Sequence, residues 1–295
     1  MSHVNSYSDS RTRTRSARSK FIYGLVIVLS VLTCIPLFAI ILQLIIKGYR
    51  QLNISLITEV APTSLEAMFA IQNGDVIPGG ILNGIVGTAL MLLIAMVIAI
   101  PIGILCGIYL AEKGSSRLAG LIRDLTDILQ GIPSIVIGIV VYLWVVKTMS
   151  SFSALAGGIS LAIMMLPMII RTTEESVKMI PNSLKEAGMA LGGSYTSVLF
   201  RVILPSAFGG LFTGILLAIS RVAGETAPLM VTALGATQVQ LDITKPSSAI
   251  SLLIWEFYND PNLANLVWSS SLLLLIFILG LNLLSKHIAK KWKVE

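Results

Sequence analysis

Uninterrupted apolar runs constrain this chain more than any other feature, and they fall at about Phe21 to Ile46, Ile81 to Ala111, Ile128 to Val146, Phe152 to Ile170, Val202 to Gly235 and Leu266 to Leu284. A bilayer core of roughly 30 Å takes about 20 such residues per helix, so each run reads as one crossing. Only 12% of residues are charged against 55% hydrophobic, whereas soluble domains carry about 25% charge, so a soluble fold is excluded. A transmembrane barrel would show short alternating segments, but these runs are apolar on both helical faces. The fold class is therefore all-α, a polytopic membrane protein with six transmembrane helices.

The bases mark orientation. Sixteen Lys and Arg lie in the tail before Phe21, in Glu112 to Asp127, in Arg171 to Arg201 and after Leu284, against four on the other side (Lys47, Arg50, Lys147 and Lys245). The positive-inside rule puts both termini in the cytoplasm. The net charge of +6 thus encodes topology and does not call for nucleic acid. The chain divides into a basic tail (1–20), a first helix (21–46), an external loop (47–80), a transmembrane core (81–285) with a cytoplasmic loop at 171–201, and a second basic tail (286–295). RTRTRSARSK before the first run resembles a signal-peptide start, but about 26 apolar residues exceed an h-region and KGYRQLN replaces a cleavage site, so the helix is retained. Cys34 and Cys106 sit inside apolar runs as packing residues, and the two histidines, His3 and His287, lie in the tails. No metal constellation can be assembled from them.

Small residues recur every fourth position in the second run, at Ala95, Ala99, Gly103, Gly107 and Ala111, and again at Gly210, Gly214 and Ala218 in the fifth. Such stripes let helix backbones approach closely in lipid. Pro101, Pro133, Pro167 and Pro228 are expected to kink or break their helices.

The loop at 171–201 is long and patterned as two short helices. In PNSLKEAGMALGGSYTSVLFRVILP, Ser183 and Glu186 have capping-box spacing. Leu184, Ala187, Gly188 and Leu191 form one face, and Gly192 with Gly193 supplies a left-handed stop. Ser194 opens the second helix. The first helix either packs on its own bundle or docks a partner. EAG, three residues, Gly192, nine residues and VILP resemble the EAA loop of ABC-importer permeases, matching at Glu186, Ala187, Gly192, Leu204 and Pro205 and departing with Gly188 and Val202. The resemblance implies a type I ABC-importer permease fold in which Glu186, Ala187, Gly188 and Gly192 belong to a helix that couples to an ATPase. The chain has no G-x-x-x-x-G-K-[ST] run, so ATP and Mg would be bound by a partner ATPase and no cofactor by this chain. No nucleophile elbow or catalytic triad is present either, and the chain is expected to be a transport subunit and not an enzyme.

Arg221 and Glu225 are the two charges within the fifth run. Each costs about 2.5–3.5 kcal/mol at a helix centre on insertion scales, so both should face protein or water. At spacings of 4, 4, 3 and 4 from Gly210 they continue the small-residue stripe into the bundle. Two readings stand: a structural ion pair, or an anion site in which Glu225 moderates Arg221. Arg171 is a second anion candidate or a simple positive-inside flank.

RVAGETAPLMVTALG, with GGILNGIVGTALM, GIPSIVIG and the EAA loop, resembles the PstA type of phosphate-importer permease over residues 79–285. That resemblance implies import of inorganic phosphate at the bacterial inner membrane, with an external phosphate-binding protein, a second, PstC-type permease and an ABC ATPase dimer as partners. It also makes Arg171, Arg221 and Glu225 substrate-pathway candidates. Residues 238–261, with an amphipathic piece at Ile250 to Tyr258, are either an external docking surface or an interfacial helix. The competing functions are an ABC permease for sulfate, molybdate or phosphonate, and an ion-coupled secondary carrier.

Overall fold

A computed structural model describes residues 4–291. Helices carry almost all of it, in the order α1 (Val4–Gly48), α2 (Ile54–Thr58), α3 (Ser64–Asn73), α4 (Leu82–Glu112), α5 (Arg117–Gly131), α6 (Ser134–Val141), α7 (Lys147–Met149), α8 (Ala154–Lys178), α9 (Asn182–Ala190), α10 (Tyr195–Val198), α11 (Leu204–Val222), α12 (Ala227–Met230), α13 (Ile250–Asn259) and α14 (Ala264–Lys291). One isolated bridge, Leu234 to Ser247, is the only β pairing among the described residues. Among the described residues, five helical stretches are long and apolar enough to cross a membrane: Arg18–Gln51, Leu82–Glu112, Ala154–Lys178, Tyr195–Val222 and Pro261–Lys290. A bent pair provides the sixth candidate.

That sixth element differs from the sequence expectation. Ile128 to Val146 is not one helix, because the chain turns by 105° between Arg117–Gly131 and Ser134–Met149. Pro133 is the cause: the residue before a proline is pushed out of the helical region, and Ile132 is extended at φ −73°, ψ 131°. The apolar side of amphipathic α5 had merged with α6 into one hydrophobic run.

The centre of the bundle is α4 against α8. The small residues at every fourth position work as close-approach points: a Cβ on Gly103 would lie 2.6 Å from Ile169, and one on Gly107 2.4 Å from Thr173. Ala95 and Ala99 are fully buried. Helix α11 joins by the same device, with Gly210 against Ser176 and Gly214 against Thr172. Without a hydrophobic force between helices in lipid, such backbone approach supplies the packing energy. Both α4 and α8 run through their prolines, Pro101 and Pro167. Before Pro205 the helix widens into a π turn at Leu199–Ile203, which makes room for a ring that would otherwise meet the carbonyl four residues back.

Helix α1 stands apart. Its apolar window buries nothing, and it is fastened at one end to α14, where Ser269 Oγ donates to the Gly48 carbonyl at 2.8 Å and Lys47 lies over the Trp268 ring at 4.5 Å.

Residues 231–249 fold back over the ends of α4 and α8. The first-turn amides of α8, which have no partners inside their own helix, are filled by this segment: Ala154 N donates to Lys245 O at 3.0 Å and Leu155 N to Ile243 O at 2.8 Å. Helix α13 follows and buries Ile250, Leu252, Leu253 and Phe257, while Trp255 and Tyr258 stack on its exposed side. Gly84 and Gly87 admit it, since a Cβ on Gly87 would lie far inside contact of Ser247 and Ser248. The Ile250 amide donates to Thr88 Oγ1 at 2.9 Å, which starts the helix.

Candidate functional site

The chain presents three groups of chemistry-bearing residues: a helix break, a charged cluster at the end of α8, and the loop helix α9.

The break follows Val222. Gly224 is a poor helix former, and Pro228 has no amide to offer the Gly224 carbonyl and would crowd it. Helix α11 therefore stops and α12 begins at Ala227, so the expected single span to Gly235 does not form. The break is held on three sides. A Cβ on Gly138 of α6 would lie 2.7 Å from Pro228 Cα, Ser153 N donates to Thr232 O at 3.1 Å, and Ser251 Oγ of α13 donates to the Glu225 carbonyl at 2.7 Å.

Arg221 occupies the last turn of α11 and Glu225 the break itself. Among the described residues no ion pair joins them. The expected continuation of the packing stripe is also corrected: Gly214 and Ala218 are buried, but Arg221 is exposed and Glu225 partly so. The helix register that aligned the two charges ends before Glu225. What remains is an arginine on the uncovered side of α11 with Leu217, and a carboxylate four residues on in the break, neither in an ion pair among the described residues.

Arg171 lies far along the chain from these, near the end of α8. Its Nη2 donates to Asp127 Oδ1 of α5, with both side chains about half exposed (49% and 56%). Beside it Glu174 is a hub, 12% exposed. Its Oε1 accepts from Arg123 Nη2 at 2.7 Å and from Lys178 Nζ at 2.6 Å, while Arg123 Nη1 donates to the Gly114 carbonyl at 2.8 Å. Arg123, Asp127, Arg171, Glu174 and Lys178 line a cavity of about 260 Å³. Sequence reasoning singled out Arg171 alone. The spacing of Arg171, Glu174, Glu175 and Lys178 at i, i+3, i+4 and i+7 was the signal for a charged helical face.

Helix α9 starts two residues earlier than the capping box implied. Pro181 is its N-cap and no side-chain cap bond forms, so Ser183 and Glu186 do not cap it. The stop is as expected, with Gly192 at φ +83°. Ser194 caps α10, accepting from Ser197 N at 3.3 Å. Glu186 and Ala187 are exposed, Leu184 and Met189 are 40% and 44% exposed, and Leu191 is 91% exposed. Gly188 packs on Val198, where a Cβ would lie at 3.0 Å. The helix thus rests on α10 by one edge and leaves most of its face uncovered.

A bundle of this form, with a short uncovered helix outside it and a broken helix within it, has the fold of type I ABC-importer permeases. The inward-facing MetNI methionine ABC transporter superposes with a TM-score of 0.58 at 20% identity, over 72% of this chain and 94% of that one. Residues 99–294 match the family described as binding-protein-dependent transport system inner membrane component. The phosphate transport system permease protein PstA of Yersinia pestis is 40% identical over 257 residues, 86% of this chain and 84% of its own. PstA of Haemophilus influenzae is 35% identical over 275 residues, 92% and 94% respectively. A probable PstA of Methanocaldococcus jannaschii is 34% identical over 270 residues, 90% and 92%. The chain belongs to the family of binding-protein-dependent transport system inner membrane components, and within it to the PstA-type permeases.

Proposed function

We propose that this chain is the membrane permease subunit of an ATP-driven importer of inorganic phosphate. The observation that carries the reading is Arg221, a guanidinium on an apolar helix beside a backbone break, exposed and in no ion pair among the described residues. A charge so placed must be solvated by water, a second subunit or an anion. A planar fork of donors fits a tetrahedral oxyanion, and the PstA relatives over most of the chain favour phosphate among oxyanions.

Arg221 then binds the anion in transit, and Glu225 keeps that binding weak enough to release it, since conduction needs sites that let go. Arg171 receives the anion at the far end of the path, exchanging Asp127 for phosphate. Glu186, Ala187, Gly188 and Gly192 form the docking surface for an ABC ATPase dimer, which binds the ATP and Mg; this chain binds neither. A second, PstC-type permease covers the exposed side of α11 and completes the pathway, and an external phosphate-binding protein delivers substrate to the side bearing residues 238–261. The protein lies in the bacterial inner membrane with both termini cytoplasmic.

The test is ATP-dependent uptake of radiolabelled phosphate in cells lacking the chain, with and without a plasmid copy, under excess sulfate. Rescue that resists sulfate is the expected result. Phosphate uptake independent of the chain, with the companion subunits present, would move the substrate to sulfate, molybdate or phosphonate. An ion-coupled carrier predicts instead that no ATPase co-purifies and that Gly192→Glu leaves uptake unchanged.

A further inference from the structure

Helix α9 makes two kinds of contact with its own chain. One is the apolar seat of Gly188 on Val198. The other is Lys185 Nζ donating to Glu112 Oε1 at 2.5 Å, the one ion pair that leaves α9 among the described residues. Its two side chains are only 16% and 18% exposed, unlike the half-exposed Arg171 and Asp127. Tyr195, which opens α10, interacts with the same carboxylate and lines with it a cavity that also includes Tyr109 and Lys113. Both helices of the loop therefore converge on one acidic residue, the last of α4.

An apolar seat resists compression and yields to separation, whereas a part-buried ion pair resists separation as well, because parting leaves charges unpaired. Glu112 is also the end of a rod. Helix α4 has 31 residues, about 46 Å at 1.5 Å per residue, and it is packed along its length on α8. Near its other end Thr88 Oγ1 receives the Ile250 amide, and the adjacent Ser251 holds the Glu225 carbonyl. A contiguous set of contacts thus runs from α9 through Lys185, Glu112, α4 and the start of α13 to the helix break.

We propose that Glu112 is the positioning residue that ties the loop helix to the helix break, so that displacement of α9 moves α4 and with it the backbone of Glu225. The proposal rests on the permease reading and adds the mechanical link within it. A link of this kind is a coupling free energy between two sites, and its loss separates ATP turnover from transport.

The experiment uses the whole complex, purified with its ATPase and companion permease and reconstituted with the phosphate-binding protein, reading ATP hydrolysed and radiolabelled phosphate moved. Glu112→Gln and Lys185→Gln are each expected to retain the ATPase subunit and ATP hydrolysis while phosphate moved per ATP falls at least about fivefold, the low end of ordinary coupling factors. The exchanged pair, Glu112→Lys with Lys185→Glu, is expected to recover most of that ratio. A ratio unchanged in both single variants overturns the proposal. So does loss of the ATPase subunit with an unchanged ratio in the complexes that remain, which would make the pair a docking contact. Because Lys185 lies on the uncovered loop helix, its variant keeps the test open if Glu112→Gln fails to assemble. Failure of the unaltered complex to hold an ATPase or to move phosphate refutes the permease reading itself, and so is distinguished from failure of the link.

Discussion

At the scale of single residues, the same kind of charge plays different parts according to what covers it. Glu174 is 12% exposed and accepts from Arg123 and Lys178, so removing its charge weakens two charge-assisted hydrogen bonds at a part-buried oxygen, an effect of about 1.5–3 kcal/mol. Asp127 and Arg171 are half in solvent, where such pairs contribute about 0–1 kcal/mol. Thermal melting of the purified complex should therefore fall clearly for Glu174→Gln and little for Asp127→Asn; the reverse order would make Asp127 the structural member. Arg221 has no ion-pair partner among the described residues. Arg221→Ala is expected to abolish phosphate uptake while the complex assembles in full, and Arg221→Lys to restore a fraction, since an ammonium keeps the charge and loses the fork. Normal uptake by Arg221→Ala would reduce the arginine to a membrane-facing ornament of the helix. The charges themselves were legible in the sequence because they interrupt apolar runs. Their partners were not, because Asp127 and Arg171 are 44 residues apart and no local pattern joins them.

Whole elements were read from two signals of unequal quality. Small-residue periodicity was dependable: the stripe from Ala95 to Gly107 lies against α8, because close approach requires the absence of side chains whatever the partner is. Apolar run length was not, because it cannot see a change of direction. Ile128 to Val146 and Val202 to Gly235 each hid a break, and in both a proline marks it: Pro133 at the 105° turn and Pro228 opening α12. Prolines within α4 and α8 carry the same sequence signal and break nothing, so the residue type alone was not decisive. The capping box at Ser183 failed for a related reason, since Pro181 can precede helix φ and ψ without a side-chain cap. The stripe yields a paired prediction. A Cβ on Gly107 would lie 2.4 Å from Thr173, whereas one on Gly120 of α5 meets nothing within 4 Å. Gly107→Ala should lower the melting temperature through overpacking of about 1–3 kcal/mol, while Gly120→Ala should be neutral or stabilising by about 0.5–1 kcal/mol. Equal effects in the two variants would remove the close-packing account of α4 on α8.

The whole molecule is arranged so that its two ends differ in kind. The end that carries the 171–201 loop gathers the salt-bridge cluster of α5 and α8 and the uncovered helix α9. The other end is closed by residues 231–249 and by α13, whose polar contacts are mainly backbone amides and hydroxyls. A bilayer with a potential and an anionic inner leaflet holds loop lysines and arginines on its cytoplasmic face, so the charged end should face the cytoplasm and the hydroxyl-rich end the outside. Orientation is open to a direct test. In a background with Cys34→Ser and Cys106→Ser, a cysteine at Gln238, on the exposed part of the closing segment, should react with a membrane-impermeant maleimide in intact cells. A cysteine at Asn182, at the exposed start of α9, should react only after permeabilisation. The opposite pattern would invert the molecule, and would place its uncovered loop helix where no ATPase could reach it, so the same labelling decides both the topology and the geometric feasibility of coupling through α9.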